Sequence, residues 1–397
     1  MEYKVNLEKI LNNTGIAIFF IYMITYNIFS YRANTVIISE IILLILLIII
    51  SLYIIFIKKY IRAGSFLIFL FIYNAYLFIN IYFSINKSIS FEKIKTLLLL
   101  IAFSYMLYNF FDNKLKIRQG LVAITYSYII LGIYTLNKYG FSNLFSGIVS
   151  KRIGSDISQE NVLGTSLAIG AVLCFYFALY KGKKIYYLYF IFLFIMSSFT
   201  QSRKALFSVL VGIIILVFLK NRMKNFLKTF LLLLLAIIVL YILLKLPIFE
   251  GVLSRVNGIF DTSKPMEASA FIRKNMIKDG IEYFCQKPLI GYGYDCFREL
   301  GYYNTYSHNN YIEMLINGGI LSFIIYYGLY LYIIIKLIPN IFKFDSVSII
   351  FFTMIIIQLI MDFAEVSYSS KIIYIYFALY FSYINIETDE IKLYERN

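Results

Sequence analysis

The feature that most constrains this chain is the recurrence of apolar runs close to twenty residues long. Ile41 to Ile50 is apolar without a break, and about 20 such residues in a helix match the hydrocarbon thickness of a bilayer. Twelve runs lie between polar breaks, near Ile16–Tyr31, Val36–Ile57, Gly64–Phe83, Ile94–Phe111, Gln119–Leu136, Val162–Tyr180, Ile185–Phe199, Ala205–Leu219, Thr229–Leu244, Asn310–Leu337, Ser346–Met361 and Ile372–Ile386. The chain is 61% hydrophobic and 15% charged, against about a quarter charged in soluble domains, so one water-soluble globule is excluded. With 20 Gly, 4 Pro and 3 Cys, collagen-like, disordered and disulfide-stapled classes are excluded too. The segment Met1 to Asn13 is polar and no small-residue cleavage site follows the first run, which therefore reads as a retained span. The expected fold is an all-α integral membrane protein of about twelve transmembrane helices.

A formal charge of +15 suggests nucleic acid in a soluble protein, but here it reads as a topology signal, and no nucleic-acid partner is expected. With the N-terminus cytoplasmic, Lys58 to Arg62, Lys114 to Arg118, Lys181 to Lys184 and Lys220 to Lys228 all fall on the cytoplasmic side. That side then collects 19 Lys and Arg against 10 on the other, once the one long loop is set aside, as the positive-inside rule requires. Both termini are then cytoplasmic. Two outer segments remain, Asn137–Asn161 and Lys245–Asn309, of which the second is the only sizeable extramembrane piece. No internal repeat of the transporter kind is visible. The chain divides into N-terminal membrane helices, 1–161, and a C-terminal membrane region, 162–397, that carries the 245–309 loop, the two forming one membrane domain. Within that loop Ala270, Phe271, Met276, Ile277, Ile281 and Phe284 recur at helical spacing, which predicts an amphipathic helix lying across the membrane face, although Gly280 weakens it.

His308 is the only histidine, and it falls where the long loop re-enters the bilayer. There an imidazole with an ordinary pKa near 6.5 could take a proton from a hydroxyl; a structural role is the competing reading. One histidine among scattered carboxylates gives no metal-ligand cluster, so neither metal nor cofactor is expected. Arg152, Arg203, Arg255 and Arg273 all map to the outer side, against the charge rule. Each alone could snorkel to lipid phosphate, but several together suit an anionic ligand, and guanidinium forks match a diphosphate. Gly291 and Gly293 could bring backbone close to a ligand or simply turn the chain after Pro288. Glu313, just inside the span, could orient a substrate hydroxyl, with Asp295 as an alternative. Cys285 and Cys296 could pair or remain free thiols, and Tyr302, Tyr303 and Tyr306 could stack on sugars or form an interfacial belt.

Several of these segments together resemble one family. Pro288-Leu289-Ile290-Gly291-Tyr292-Gly293, Ser307-His308-Asn309-Asn310-Tyr311-Ile312-Glu313 and Gly318-Gly319 are similar to the signature region of the O-antigen ligase and polymerase family. Thr200-Gln201-Ser202-Arg203-Lys204-Ala205 resembles that family's Ser-Arg motif, and Arg152-Ile153-Gly154 with Asn161-Val162-Leu163-Gly164 resembles a further segment. The chain departs from the family in having Ser before His308, where Ala is common, and no tryptophan. The resemblance implies a glycosyltransferase of the bacterial inner membrane, acting on the extracytoplasmic face on polyprenyl-diphosphate-linked oligosaccharide donor and acceptor without metal. It implies an acceptor hydroxyl activated by His308 and a diphosphate held by Arg203 and Arg273, with Arg255 and Arg152 less securely matched. Glu313, Asn309, Gly291 and Gly293 complete the expected substrate-binding set. The lipid bilayer surrounds the protein, and flippase and chain-length regulator proteins are candidate partners. The expected role is polymerase of surface-polysaccharide repeat units, O-antigen or capsule. The alternatives are a ligase transferring glycan to the lipopolysaccharide lipid A-core, a flippase of lipid-linked oligosaccharide, or an assembly partner without an active site.

Overall fold

The computed structural model describes residues 2–145, 152–221 and 268–394, with a few single positions between 222 and 267. All regular structure among the described residues is helical. In chain order the helices are α1 (Glu2–Phe29), α2 (Val36–Leu52, continued by a π turn Tyr53–Lys58), α3 (Ser65–Phe83), α4 (Lys87–Phe110), α5 (Lys114–Tyr139) and the short α6 (Phe141–Phe145). There follow α7 (Glu160–Lys181), α8 (Ile185–Phe199), α9 (Arg203–Lys220), α10 (Ala268–Gln286), α11 (Asn310–Phe342), α12 (Ser346–Met361) and α13 (Lys371–Tyr394). Among the described residues six stretches, Asn6–Phe29, Val36–Lys58, Ser65–Phe83, Lys114–Tyr139, Glu160–Lys181 and Asn310–Phe342, are long and apolar enough to cross a membrane, and α8 and α12 are shorter apolar helices. Helices α4, α9 and α13 also overlap expected runs, but α4 carries charge at its start, Lys87 to Lys95, and α9 and α13 carry charge at both ends. The expected run Thr229–Leu244 lies outside the described residues.

Burial follows from how many neighbours each helix has. Helix α2 is apolar over most of its length, yet only Ser39, Leu46 and Ile50 are buried, because it packs chiefly on α1. Its other face, including Ile37, Ile41, Leu44 and Ile48, is exposed, the pattern expected of a helix whose solvent is lipid. Helix α7 is the opposite case. It packs on α5, α8 and α9 and places Gly164, Thr165, Ala168, Gly170 and Ala171 in the interior, small residues that let helices approach closely in a membrane.

Helix α11 is broken at Gly319, whose φ is 62° and ψ −166°. The break frees backbone groups that lipid could not satisfy, and the segment Pro288 to Gly293 fills it. Tyr292 N–H donates to the Ile316 carbonyl (2.8 Å), Gly293 N–H to Asn317 (2.9 Å), and Ile320 N–H to Pro288 (2.8 Å). From α3, Asn80 Nδ2 donates to the Ile290 carbonyl at 2.9 Å, and the Tyr76 hydroxyl donates to the Gly318 carbonyl. Gly291 and Gly293 hold φ of 75° and 109°, and a Cβ on them would lie 2.3 Å from the Ile316 carbonyl oxygen and 2.1 Å from Ser84 Oγ. What their bare backbone approaches closely is therefore protein.

Helix α10 matches the helix expected in the long loop, but its buried stripe is narrower. Met276 and Gly280 are buried and Ile277 partly so, against Ile312 and Ile316 of α11, whereas Phe271 and Ile281 are exposed. Gly280, which weakened the helix in the sequence, faces Ile312 where a side chain would collide. Cys285 and Cys296 are free, the first exposed and the second buried.

Candidate functional site

A cavity of about 420 Å³ opens at one end of the helix bundle. It is walled by the C-terminal ends of α1 and α12 and the N-terminal ends of α2, α7 and α13, with His308 just ahead of α11 and Lys204 at the start of α9. Arg273 reaches it from α10 and Tyr306 from the loop before α11. A second cavity, between Tyr60–Ser65, Lys336 of α11 and Asn385–Asp389 of α13, marks the opposite end. Helices α2, α11 and α13 thus run from one cavity to the other.

His308 is held on a turn clamped from both sides. Its φ of 56° is left-handed, an uncommon conformation for a residue with a side chain and one that clusters at functional sites. Before it, Ser307 N–H donates to the Glu313 carboxylate at 2.8 Å, and Ser307 Oγ donates to the Asn309 carbonyl at 2.9 Å. After it, Asn309 caps α11, its Oδ1 accepting from Ile312 N–H at 3.1 Å, and Asn310 N–H donates to the Asp362 carbonyl at 2.7 Å. Asn310 Oδ1 in turn accepts from Ser367 N–H (2.9 Å) and Tyr368 N–H (3.0 Å) in the loop between α12 and α13. The imidazole is half-buried against the Tyr306 ring, centroids 4.4 Å apart. Burial, then the charges of Arg273 and Lys204, push its pKa down from 6.5 to about 4. The cavity therefore presents a neutral imidazole in a positive field, an arrangement suited to an anion.

The residues singled out in the sequence fall into three groups. His308 and Arg273 line the cavity. Glu313, fully buried, and Asn309, nearly so, hold the His308 turn from below, while Gly291 and Gly293 sit in the segment that fills the α11 break. Arg152 braces the wall: its Nε donates to the Thr200 carbonyl (3.0 Å) and its Nη2 to Asn161 Oδ1 (2.9 Å). Gly164 lies where a Cβ would meet Thr200 Oγ1 at 2.4 Å. Arg152, Asn161, Gly164 and Thr200 to Ser202 thus pack as one unit. Arg255 lies outside the described residues.

Arg203 is the first residue of α9, and it is its neighbour Lys204 that lines the cavity. Successive residues on a helix point about 100° apart, so only one of the pair faces a given wall. Lys204 pairs with Glu365 of the α12–α13 loop, and both residues, with Asn161, belong to the lining. In the sequence Lys204 and Asn161 stand inside segments that carry the resemblance but with no role of their own, and nothing there marks Glu365. The adjacency of Arg203 and Lys204 was visible there; which one faces inward depends on where α9 begins.

The fold and site define a multi-helix membrane protein whose single imidazole shares a cavity with cationic side chains at one end of the bundle. Residues 188–327 match the O-antigen ligase family model, and over that stretch the match supports a relationship to the O-antigen ligase/polymerase family. The matched stretch supplies Lys204, Arg273, Tyr306 and His308 to the cavity. No curated protein matches the chain.

Proposed function

We propose that the chain is the polymerase of lipid-linked oligosaccharide repeat units for a surface polysaccharide, working at the extracytoplasmic face of the bacterial inner membrane. About twelve spans carry it, with both termini cytoplasmic. The observation that supports this reading is that His308, Arg273 and Lys204 share one cavity. An acceptor hydroxyl oxygen attacks the anomeric carbon of the donor glycan, and its proton passes to the His308 imidazole. The bond from that carbon to the phosphate oxygen breaks, its electron pair leaving with polyprenyl diphosphate. Arg273 and Lys204 stabilise the charge that develops on the departing group, an effect strongest where water is excluded. The lipid diphosphate linkage itself supplies the free energy, so no nucleotide sugar is consumed.

The donor also tunes its own base. An imidazole near 4 is a weak base, but a diphosphate beside Arg273 and Lys204 offsets their field and raises the His308 pKa toward neutrality. His308→Ala is expected to lower transfer about a hundred- to ten-thousandfold while membrane abundance stays near normal. Lipid-linked single repeats then accumulate and long chains vanish. Full-length polymer from His308→Gln, which cannot accept a proton at neutral pH, would reduce His308 to an orienting role. Glycan recovered on lipid A-core instead of on the polyprenyl carrier would replace polymerase by ligase.

A further inference from the structure

The cationic side chains account for one part of the cavity wall. Another part comes from α1, α2 and the turn into α13, and its chemistry is different. Tyr26 and Tyr31 present rings 6.2 Å apart, and Asn27 is fixed by donation from Nδ2 to Ser127 Oγ at 3.0 Å. Glu40 pairs with Lys371, so this region offers hydrogen-bonding groups with little net charge. Aromatic faces beside a carboxylate, an amide and an ammonium suit a ligand with apolar C–H faces and many hydroxyls. An alkyl tail would leave the buried polar groups of this wall unmatched.

This wall is tied to the reacting end through covalent chain. Lys371 follows the same loop whose Ser367 and Tyr368 N–H groups grip Asn310, two residues past His308. None of Tyr26, Asn27, Tyr31, Glu40 and Lys371 lies within residues 188–327, the stretch that matches the family model. We propose that these five residues form the sugar-binding subsite for the repeat unit, so that glycan selection is set by helices outside the matched stretch. The proposal rests on the transfer reaction above for the identity of the ligand.

The test measures binding separately from turnover. The full chain in lipid nanodiscs is titrated with two probes: polyprenyl-diphosphate-linked oligosaccharide from the source cells, and polyprenyl diphosphate without sugar. The unsubstituted protein is expected to bind the glycosylated lipid more tightly. Glu40→Gln should weaken the glycosylated lipid about tenfold, the scale of one lost hydrogen bond to a charged group, and Tyr31→Ala, which removes an aromatic face, about three- to tenfold. Binding of the bare lipid should hold or, with Glu40→Gln removing a negative charge, tighten. Equal weakening of both lipids, no change in either, or no preference in the unsubstituted protein would each overturn the subsite. Selective binding with no transfer would leave the subsite standing and overturn the proposed reaction instead.

Discussion

His308 combines a neutral resting state with a positive surrounding, and the pair yields a pH signature. Burial and the charges of Arg273 and Lys204 push its pKa down to about 4, so the free protein keeps an unprotonated base until the pH falls to about 4. A bound diphosphate raises that pKa, so the acid limb of kcat should lie at higher pH than the acid limb of kcat/KM. Coincident limbs in the two profiles would show that no anion sits beside the imidazole. Lys204→Met removes one of the charges that depress the pKa, and it should shift the kcat/KM limb upward while raising KM for the donor. Arg203→Lys is the complementary measurement: a point charge keeps the attraction but loses the planar fork. Transfer is expected to fall more than tenfold through Arg203→Lys if its guanidinium grips the diphosphate in two places, and near-normal polymer would return Arg203 to the lipid headgroups.

At the scale of elements, the segment Pro288 to Gly293 is tied to the bundle by filling the break in α11, about ten residues beyond the His308 turn. Gly291→Ala would push a methyl group against the Ile316 carbonyl and impose a side chain at φ 75°. Overpacking of this kind costs about 1–3 kcal/mol, and the left-handed backbone about 1–2 more. The expected outcome is a fall in membrane abundance and thermal stability, measured on the detergent-solubilised protein. His308→Ala should instead leave both near normal, and the contrast separates scaffold from chemistry. Unchanged stability in Gly291→Ala would mean that the packing at the break can open without cost.

For the whole molecule, the cavity of His308 and the cavity of Arg62 and Lys336 lie at opposite ends of shared helices. That arrangement calls for one face outside and one inside. A cysteine placed at Ser263 should react with an impermeant reagent added to intact cells, and one placed at Lys183 should not. Ser263 lies outside the described residues, so the labelling tests the topology independently of the helix packing. The reverse pattern would put the cavity on the cytoplasmic face and remove the lipid-linked glycan from its reach.

The sequence by itself determined the class of structure, because run length and apolarity are local properties and a bilayer leaves helices as the solution. It also marked His308 and Arg273, which stand out by rarity and by position against the charge rule. The tertiary structure decided which polar residues meet. Arg203 and Lys204 are equivalent in a string of letters, and only the start and rotation of α9 bring Lys204 into the lining. Glu313, Asn309, Gly291 and Gly293 share a motif with His308, yet packing turns them toward the turn beneath it and the break in α11. The wall of Tyr31, Glu40 and Lys371 joins residues more than three hundred positions apart, a proximity that no local pattern encodes because it arises from how whole helices pack.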